Sequence, residues 1–142
     1  MWEAEILQNL CKSLQTKFWI SFCCKDGIHL SDGSEVVEAV SLFKQIDGCI
    51  AVGVNCVHPK FVSSLIEEIK STNIQVNKRI IVYANSGEIW NSDSSTWSAD
   101  HTNEVDFLCY ADRWAAQGVS MIGGCCRIFD TSIKDLHAKW KP

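Results

Sequence analysis

Apolar positions along the chain follow two rhythms that alternate. Over residues 2 to about 15, Ile6, Leu7, Leu10 and Leu14 recur at helical spacing. The run Phe18-Trp19-Ile20-Ser21-Phe22-Cys23 is nearly unbroken and short enough for a buried strand. Asp32-Gly33-Ser34 predicts a turn and an N-cap, followed by a helix with Val36, Val40, Phe43 and Ile46 as its apolar stripe. A second strand is expected over residues 49–54. Pro59 then fits the first turn of a helix whose stripe is Val62, Leu65, Ile66 and Ile69.

The third strand is expected over residues 79–84, followed by a Ser-, Asp- and Asn-rich loop reaching to about Asn103. Asn103 is placed to cap a helix carrying Val105, Leu108, Ala111 and Ala115, which Gly118 would end. A fourth strand over 119–123 and a last helix with Ile133, Leu136 and Trp140 complete the series. Four strands thus begin near residues 18, 49, 80 and 119. They are apolar throughout rather than alternating, as parallel strands covered on both faces require. The fold class is therefore α/β, built from βα units. A G-x-G-x-x-G loop is absent, which counts against a dinucleotide-binding sheet. A closed barrel needs eight such units, so on that reading the four found here are the second half of one, preceded by an extra helix.

Composition narrows the classes of function. The chain has 142 residues, 46% hydrophobic and 21% charged, with a net charge of −4 and only two prolines. That makes it globular, with one domain or one piece of a larger domain over residues 1–142, and sets disorder aside. No basic cluster points to nucleic acid or to an anionic membrane. The N-terminus carries acidic residues where a signal peptide would carry basic ones, and no apolar stretch approaches the ~20 residues of a membrane span. A cytoplasmic location is expected. In that reducing setting the eight cysteines read as metal ligands, catalytic groups or core residues rather than a disulfide framework.

Three cysteines share one kind of position. Cys56 follows the second strand in Gly-Val-Asn-Cys, and Cys125 and Cys126 follow the fourth in Gly-Gly-Cys-Cys-Arg. Both places lie just past the carboxyl ends of parallel strands, where βα folds assemble their sites. Adjacent strand residues point to opposite faces, so Gly123 and Gly124 are expected to supply the unusual backbone angles that bring both sulfurs together. Three thiolates would leave a tetrahedral zinc ion one exchangeable position, the catalytic pattern. Cys11, Cys49 and Cys109 read as core. Cys23 and Cys24 also end a strand; packing is the favoured reading, with a fourth, structural ligand as the alternative.

Around these motifs the chain resembles the homocysteine S-methyltransferase family, in the branch that uses S-methylmethionine or S-adenosylmethionine. The resemblance extends to Lys25-Asp26-Gly27, Leu30-Ser31-Asp32-Gly33 and Val82-Tyr83-Ala84-Asn85-Ser86-Gly87-Glu88. It implies the C-terminal half, four strands, of a (β/α)8 barrel. It also implies Zn2+ on Cys56, Cys125 and Cys126, with homocysteine and a sulfonium donor as substrates and methionine as product. The chain departs from the family at Ala84, where proline is usual, and after Arg127, where a proline and a histidine are usual. The family's first barrel half has no counterpart in it.

Other candidates carry two readings each. Asn55 supports a ligand or forms a turn, and Arg127 steadies the cysteine turn, binds a carboxylate or makes a surface ion pair. Asn85, Ser86 and Glu88 meet substrate or serve as ordinary loop residues. His58 caps the helix at Pro59. Trp90 and Trp97 cover the site or anchor their loop. A truncated, non-catalytic fragment that binds zinc or a partner is the alternative function, and association with another half-barrel is expected because four units leave two open sheet edges.

Overall fold

A computed structural model describes residues 1–13, 16–88, 90–97 and 107–140, with the side chain of Gln75 excepted. Helix α1 (Trp2–Ser13) leads into strand β1 (Phe18–Cys23), and α2 (Val36–Ser41) follows. Then come β2 (Cys49–Asn55), α3 (Pro59–Ser71), a short 3-10 turn at Ile74–Val76 and β3 (Arg79–Ala84). The two-residue strands β4 (Trp90–Asn91) and β5 (Thr96–Trp97) form a small hairpin before α4 (Phe107–Ala116), β6 (Met121–Gly124) and α5 (Asp130–Lys139). The main sheet has the order β1-β2-β3-β6, and all its pairings are parallel.

Each strand alternates between two surfaces. On β2, Val52 and Val54 point to the helices and are fully buried, as is Val82 on β3. Against them α3 presents Val62, Leu65, Ile66 and Ile69, the stripe read from the sequence, all of them at 0% exposure. Burying each such side chain stabilises the fold by about 1.5–3 kcal/mol, so this layer is the main source of cohesion. The opposite, inner surface carries Trp19, Ser21, Cys23, Asn55 and Tyr83, none of them buried. At the foot of the sheet the buried ammonium of Lys78 donates to the carbonyls of Ile46 (2.8 Å) and Cys49 (2.9 Å). This fixes the turn before β2 to the start of β3.

Helix starts and ends correct part of the sequence reading. His58 does cap α3, its Nδ1 accepting from Lys60 N, with Pro59 in the first turn. Gly118 follows α4 with φ +96. The turn at Asp32 does not cap α2: Glu35 occupies that place with no side-chain bond, while Asp32 accepts from Ser34 N. Helix α2 stops at Ser41, and Phe43 and Ile46 are buried from the turns beyond it. On α1 the buried residue is Ala4; Ile6 and Leu10 face outward. Ile133 is exposed on α5, where Leu136 is the buried residue. Cys49 is buried, but Cys11 is only half-buried and Cys109 is exposed, so those two are not core residues. Leu14, Asn103 and Val105 lie outside the described residues.

Candidate metal centre

The carboxyl ends of β2 and β6 are separated in the sheet by β3 alone, which places their following residues on one rim. There the sulfurs of Cys56, Cys125 and Cys126 lie within 4.8 Å of one another. Cys56 Sγ is 3.4 Å from Cys126 Sγ, and Cys125 Sγ is 3.9 Å from Cys126 Sγ. A Zn–S bond of ~2.3 Å sets sulfurs ~3.8 Å apart around a tetrahedral ion, so the observed spacing brackets what one such cation needs. All three residues are half-buried. Among the described residues this is the one group of three or more His, Cys, Asp or Glu that could hold a metal ion, and neither Cys23 nor Cys24 belongs to it.

The backbone that aims these sulfurs is strained at two places, neither of them glycine. Cys56 has φ 50 and Arg127 has φ 61, both in the left-handed region that favours glycine. Cys125–Ile128 is a turn closed by Ile128 N donating to Cys125 O (3.1 Å). Arg127 takes the third position, where a type II turn requires positive φ. Gly123 and Gly124 do not have positive φ, contrary to expectation. The need for Gly124 is steric: a Cβ there would stand 2.2 Å from Ile128 Cγ2, whereas one at Gly123 would meet only Tyr83 Cβ at 3.6 Å.

The end of β3 holds both ligand segments. Cys56 N donates to Tyr83 O (3.0 Å), Cys125 N to Ala84 O (2.9 Å) and Ser86 N to Cys126 O (3.1 Å). Asn85 contributes twice more: its backbone N–H donates to Val57 O (3.1 Å), and Nδ2 donates to Cys56 O (3.3 Å). Asn85 Oδ1 in turn accepts from Gly87 N (2.9 Å). Glu88 accepts from Ser86 Oγ (2.8 Å) and pairs with Arg127 through both Nε and Nη2. That fork anchors the left-handed residue of the cysteine turn. These four residues thus tie Cys56, 70 positions from Cys126 in sequence, into one frame. Sequence reasoning named Asn85, Ser86, Glu88 and Arg127 but did not reveal this joint role.

Below the rim, Asn55 faces the inner surface. Its Oδ1 accepts from Ser21 Oγ (2.9 Å), and its Nδ2 donates to Cys23 Sγ (3.2 Å). Tyr83 OH is hydrogen-bonded to the same Ser21 hydroxyl. Ser21 and Tyr83 were missed from the sequence; the signal available was their alternation with outward apolar neighbours. Trp90 and Trp97 pair across the β4–β5 hairpin, ring centroids 5.2 Å apart. His29 pairs with Asp26, whose carboxyl is held down to about 2 by the backbone N–H groups of His29 and Ile28.

Electrostatics set the protonation of the rim thiols. Burial first, then hydrogen bonding to the neighbouring thiols, pushes the Cys56 thiol up to about 12. Left alone it stays protonated at neutral pH, and a bound divalent cation reverses that preference by stabilising the thiolate. Three soft sulfur donors, with no fourth protein ligand among the described residues, suit a metal centre that keeps one position for another molecule.

Comparison with known proteins agrees with this arrangement. A family model described as homocysteine S-methyltransferase matches residues 1–140. Homocysteine S-methyltransferase 2 of Arabidopsis thaliana is 34% identical over 140 residues, which are 96% of this chain and 41% of that protein. The Bacillus subtilis homocysteine S-methyltransferase YbgG is 36% identical over 137 residues, 96% of this chain and 42% of that one. The metallated form of the Escherichia coli homocysteine methyltransferase MmuM superposes with a TM-score of 0.75 at 27% identity. That match covers 97% of this chain and 41% of MmuM. The four-stranded sheet therefore corresponds to part of a TIM-barrel enzyme, and the chain spans about two fifths of the length of these relatives.

Proposed function

The chain belongs to the homocysteine S-methyltransferase family, and from that premise we propose that it carries the zinc-binding half of an enzyme that makes methionine. In the complete reaction the sulfur of homocysteine attacks the methyl carbon of a sulfonium donor, S-methylmethionine or S-adenosylmethionine. A C–S bond forms, the bond from methyl to the positive sulfur breaks, and the donor leaves as a neutral thioether while the thiol proton is released. Cys56, Cys125 and Cys126 are the residues that would hold Zn2+. When bound, zinc supplies a Lewis-acid site that lowers the pKa of a substrate thiol near 8.5 and keeps it as thiolate at neutral pH.

The chain's own residues do the positioning. Asn85 and Ser86 hold the carbonyls of Cys56 and Cys126, and Glu88 with Arg127 steadies the turn between the strand and the last helix. No general base is required to activate a sulfur that is already a thiolate, so the remaining task is alignment of the two sulfurs with the methyl carbon. The inner-surface groups Ser21, Asn55 and Tyr83 lie hydrogen-bonded together on the inner side of the sheet, below the rim that carries the cysteines. A reducing, cytoplasmic setting keeps the three thiols available. Residues 1–142 form a single partial domain in this reading, and no helix among the described residues is long and apolar enough to cross a membrane.

The observation that carries the proposal is the meeting of three sulfurs from two strand ends within 4.8 Å. Metal content and methyl transfer from each donor, measured for the wild type and for Cys125→Ser, test it. The expected result is one zinc per wild-type chain and its loss in the variant; full activity with zinc in neither protein would overturn the reading. A non-catalytic zinc-binding fragment is the second reading, favoured by the 41% share of the Arabidopsis relative that the chain covers. It predicts zinc without turnover.

A further inference from the structure

At the end of the sheet opposite the cysteines, the fold gathers charges that the sequence disperses. Where β2 and β3 begin, a groove of about 940 Å3 is lined by Lys17, Lys44, Lys78 and Arg79, with Asp47 as its one carboxylate. Strand β3 rises ~3.3 Å per residue, so the steps from Arg79 to Ala84 put this groove about 17 Å from the cysteine rim. None of the four cations takes part in an ion pair among the described residues. Two of them are held by carbonyls alone: Lys44 Nζ donates to Thr72 O (2.8 Å), and Lys78 Nζ donates to Ile46 O and Cys49 O. Lys78 is only 8% exposed. Carbonyl dipoles solvate an ammonium without cancelling its charge, and a buried charge with no counter-charge is costly. The third N–H of Lys78 has no acceptor among the described residues, and this side chain forms part of the groove wall.

We propose that this groove binds the phosphate group of a small molecule, either the free ion or a phosphate ester. Near neutral pH a phosphate carries close to two negative charges and several strong acceptor oxygens, so one such group answers several separated donors at once. Arg79 is exposed at the first position of β3, and its planar fork matches two oxygens of a phosphate. Lys17, Lys44 and Lys78 add point charges along the same wall. Charge on a larger scale selects the size of the occupant. The whole chain has a net charge of −4, which opposes a long polyanion such as a nucleic acid. A small anion responds only to charges within about 8 Å, the screening length at physiological salt, and there the positive sign prevails. The groove volume falls inside the range of about 300–1,000 Å3 usual for small-molecule sites. Val76, 75% exposed on the same wall, offers apolar surface to the body of an ester. No residue of the cysteine rim takes part, so the groove stands or falls apart from the metal chemistry and the methyl transfer.

Titration calorimetry of the 142-residue chain with inorganic phosphate, ribose 5-phosphate and ribose tests this. Saturable one-to-one binding is expected for at least one of the two phosphates and none for ribose; the tighter phosphate tells whether the free ion or an ester is the occupant. The backbone amide signals of Asn77 and Ser120, on the groove wall, should shift as the site fills. Arg79→Gln should weaken binding by at least about tenfold, because it removes the fork. Lys17→Gln, which removes one exposed charge and no bond within the protein, should weaken it by about three- to tenfold. Both variants should keep the circular dichroism and the metal content of the wild type. Lys60→Gln, a cation outside the groove, should leave binding unchanged. Failure of both phosphates to bind saturably would overturn the proposal. So would binding that survives Arg79→Gln and Lys17→Gln intact, or that Lys60→Gln weakens as much as they do.

Discussion

The two surfaces of the same four strands were built for different ends. Toward the helices, Val52, Val54 and Val82 meet α3 in a layer with no solvent access. Toward the inside, one residue further along each strand, Ser21, Asn55 and Tyr83 make a polar chain and Trp19 stays half exposed. Alternation along a strand separates cohesion from chemistry by a single residue step. The sharpest contrast is on β2, where Val54 seals the core, Asn55 joins the polar chain and Cys56 is a ligand candidate.

The contrast breaks most severely if charge is put on the sealed side. Val54→Asp buries a carboxylate with no partner and should abolish cooperative unfolding, a loss above about 4 kcal/mol, read from urea denaturation. Leu65→Ala should cost about 2–5 kcal/mol in the same assay, since it opens a cavity in the fully buried layer. At the rim, Gly124→Ala forces a methyl group into Ile128 and should cost about 1–3 kcal/mol with reduced metal content, while Gly123→Ala should stay within about 1 kcal/mol of wild type.

Asn85→Ala should separate function from stability. It frees the carbonyl of left-handed Cys56 and is expected to weaken metal binding about 10–100-fold in a chelator competition. Its thermal unfolding without metal should move by no more than about 1–2 kcal/mol. Tyr83→Phe is the mildest test: removing one hydroxyl from a half-buried pair should change stability by about 1 kcal/mol and leave metal content intact.

What the sequence made legible was whatever depends on local pattern. β3 has the bounds its apolar run announced, the α3 stripe is buried as spaced, and the three cysteines meet because strand ends in a parallel sheet share a rim. What it hid depends on contacts distant in the chain. Ile6 and Leu10 have helical spacing, yet they face outward because nothing described here packs against that side of α1. The glycine doublet suggested unusual angles, but the strain sits on Cys56 and Arg127, where hydrogen bonds from β3 and from Glu88 stabilise it. The hairpin at Trp90 was invisible because two-residue strands leave no periodicity to read.

The frame that β3 makes around the cysteines also sets an order of events. Because the Cys56 and Cys126 sulfurs are separated by 70 positions and are aligned only once β2, β3 and β6 lie side by side, a high-affinity pocket for the ion cannot exist in a half-formed chain. Parallel pairings of this kind are among the slow steps of folding, so uptake of metal would come last and act as a latch. The rate at which a newly made chain acquires a metal ion would then time the completion of its sheet.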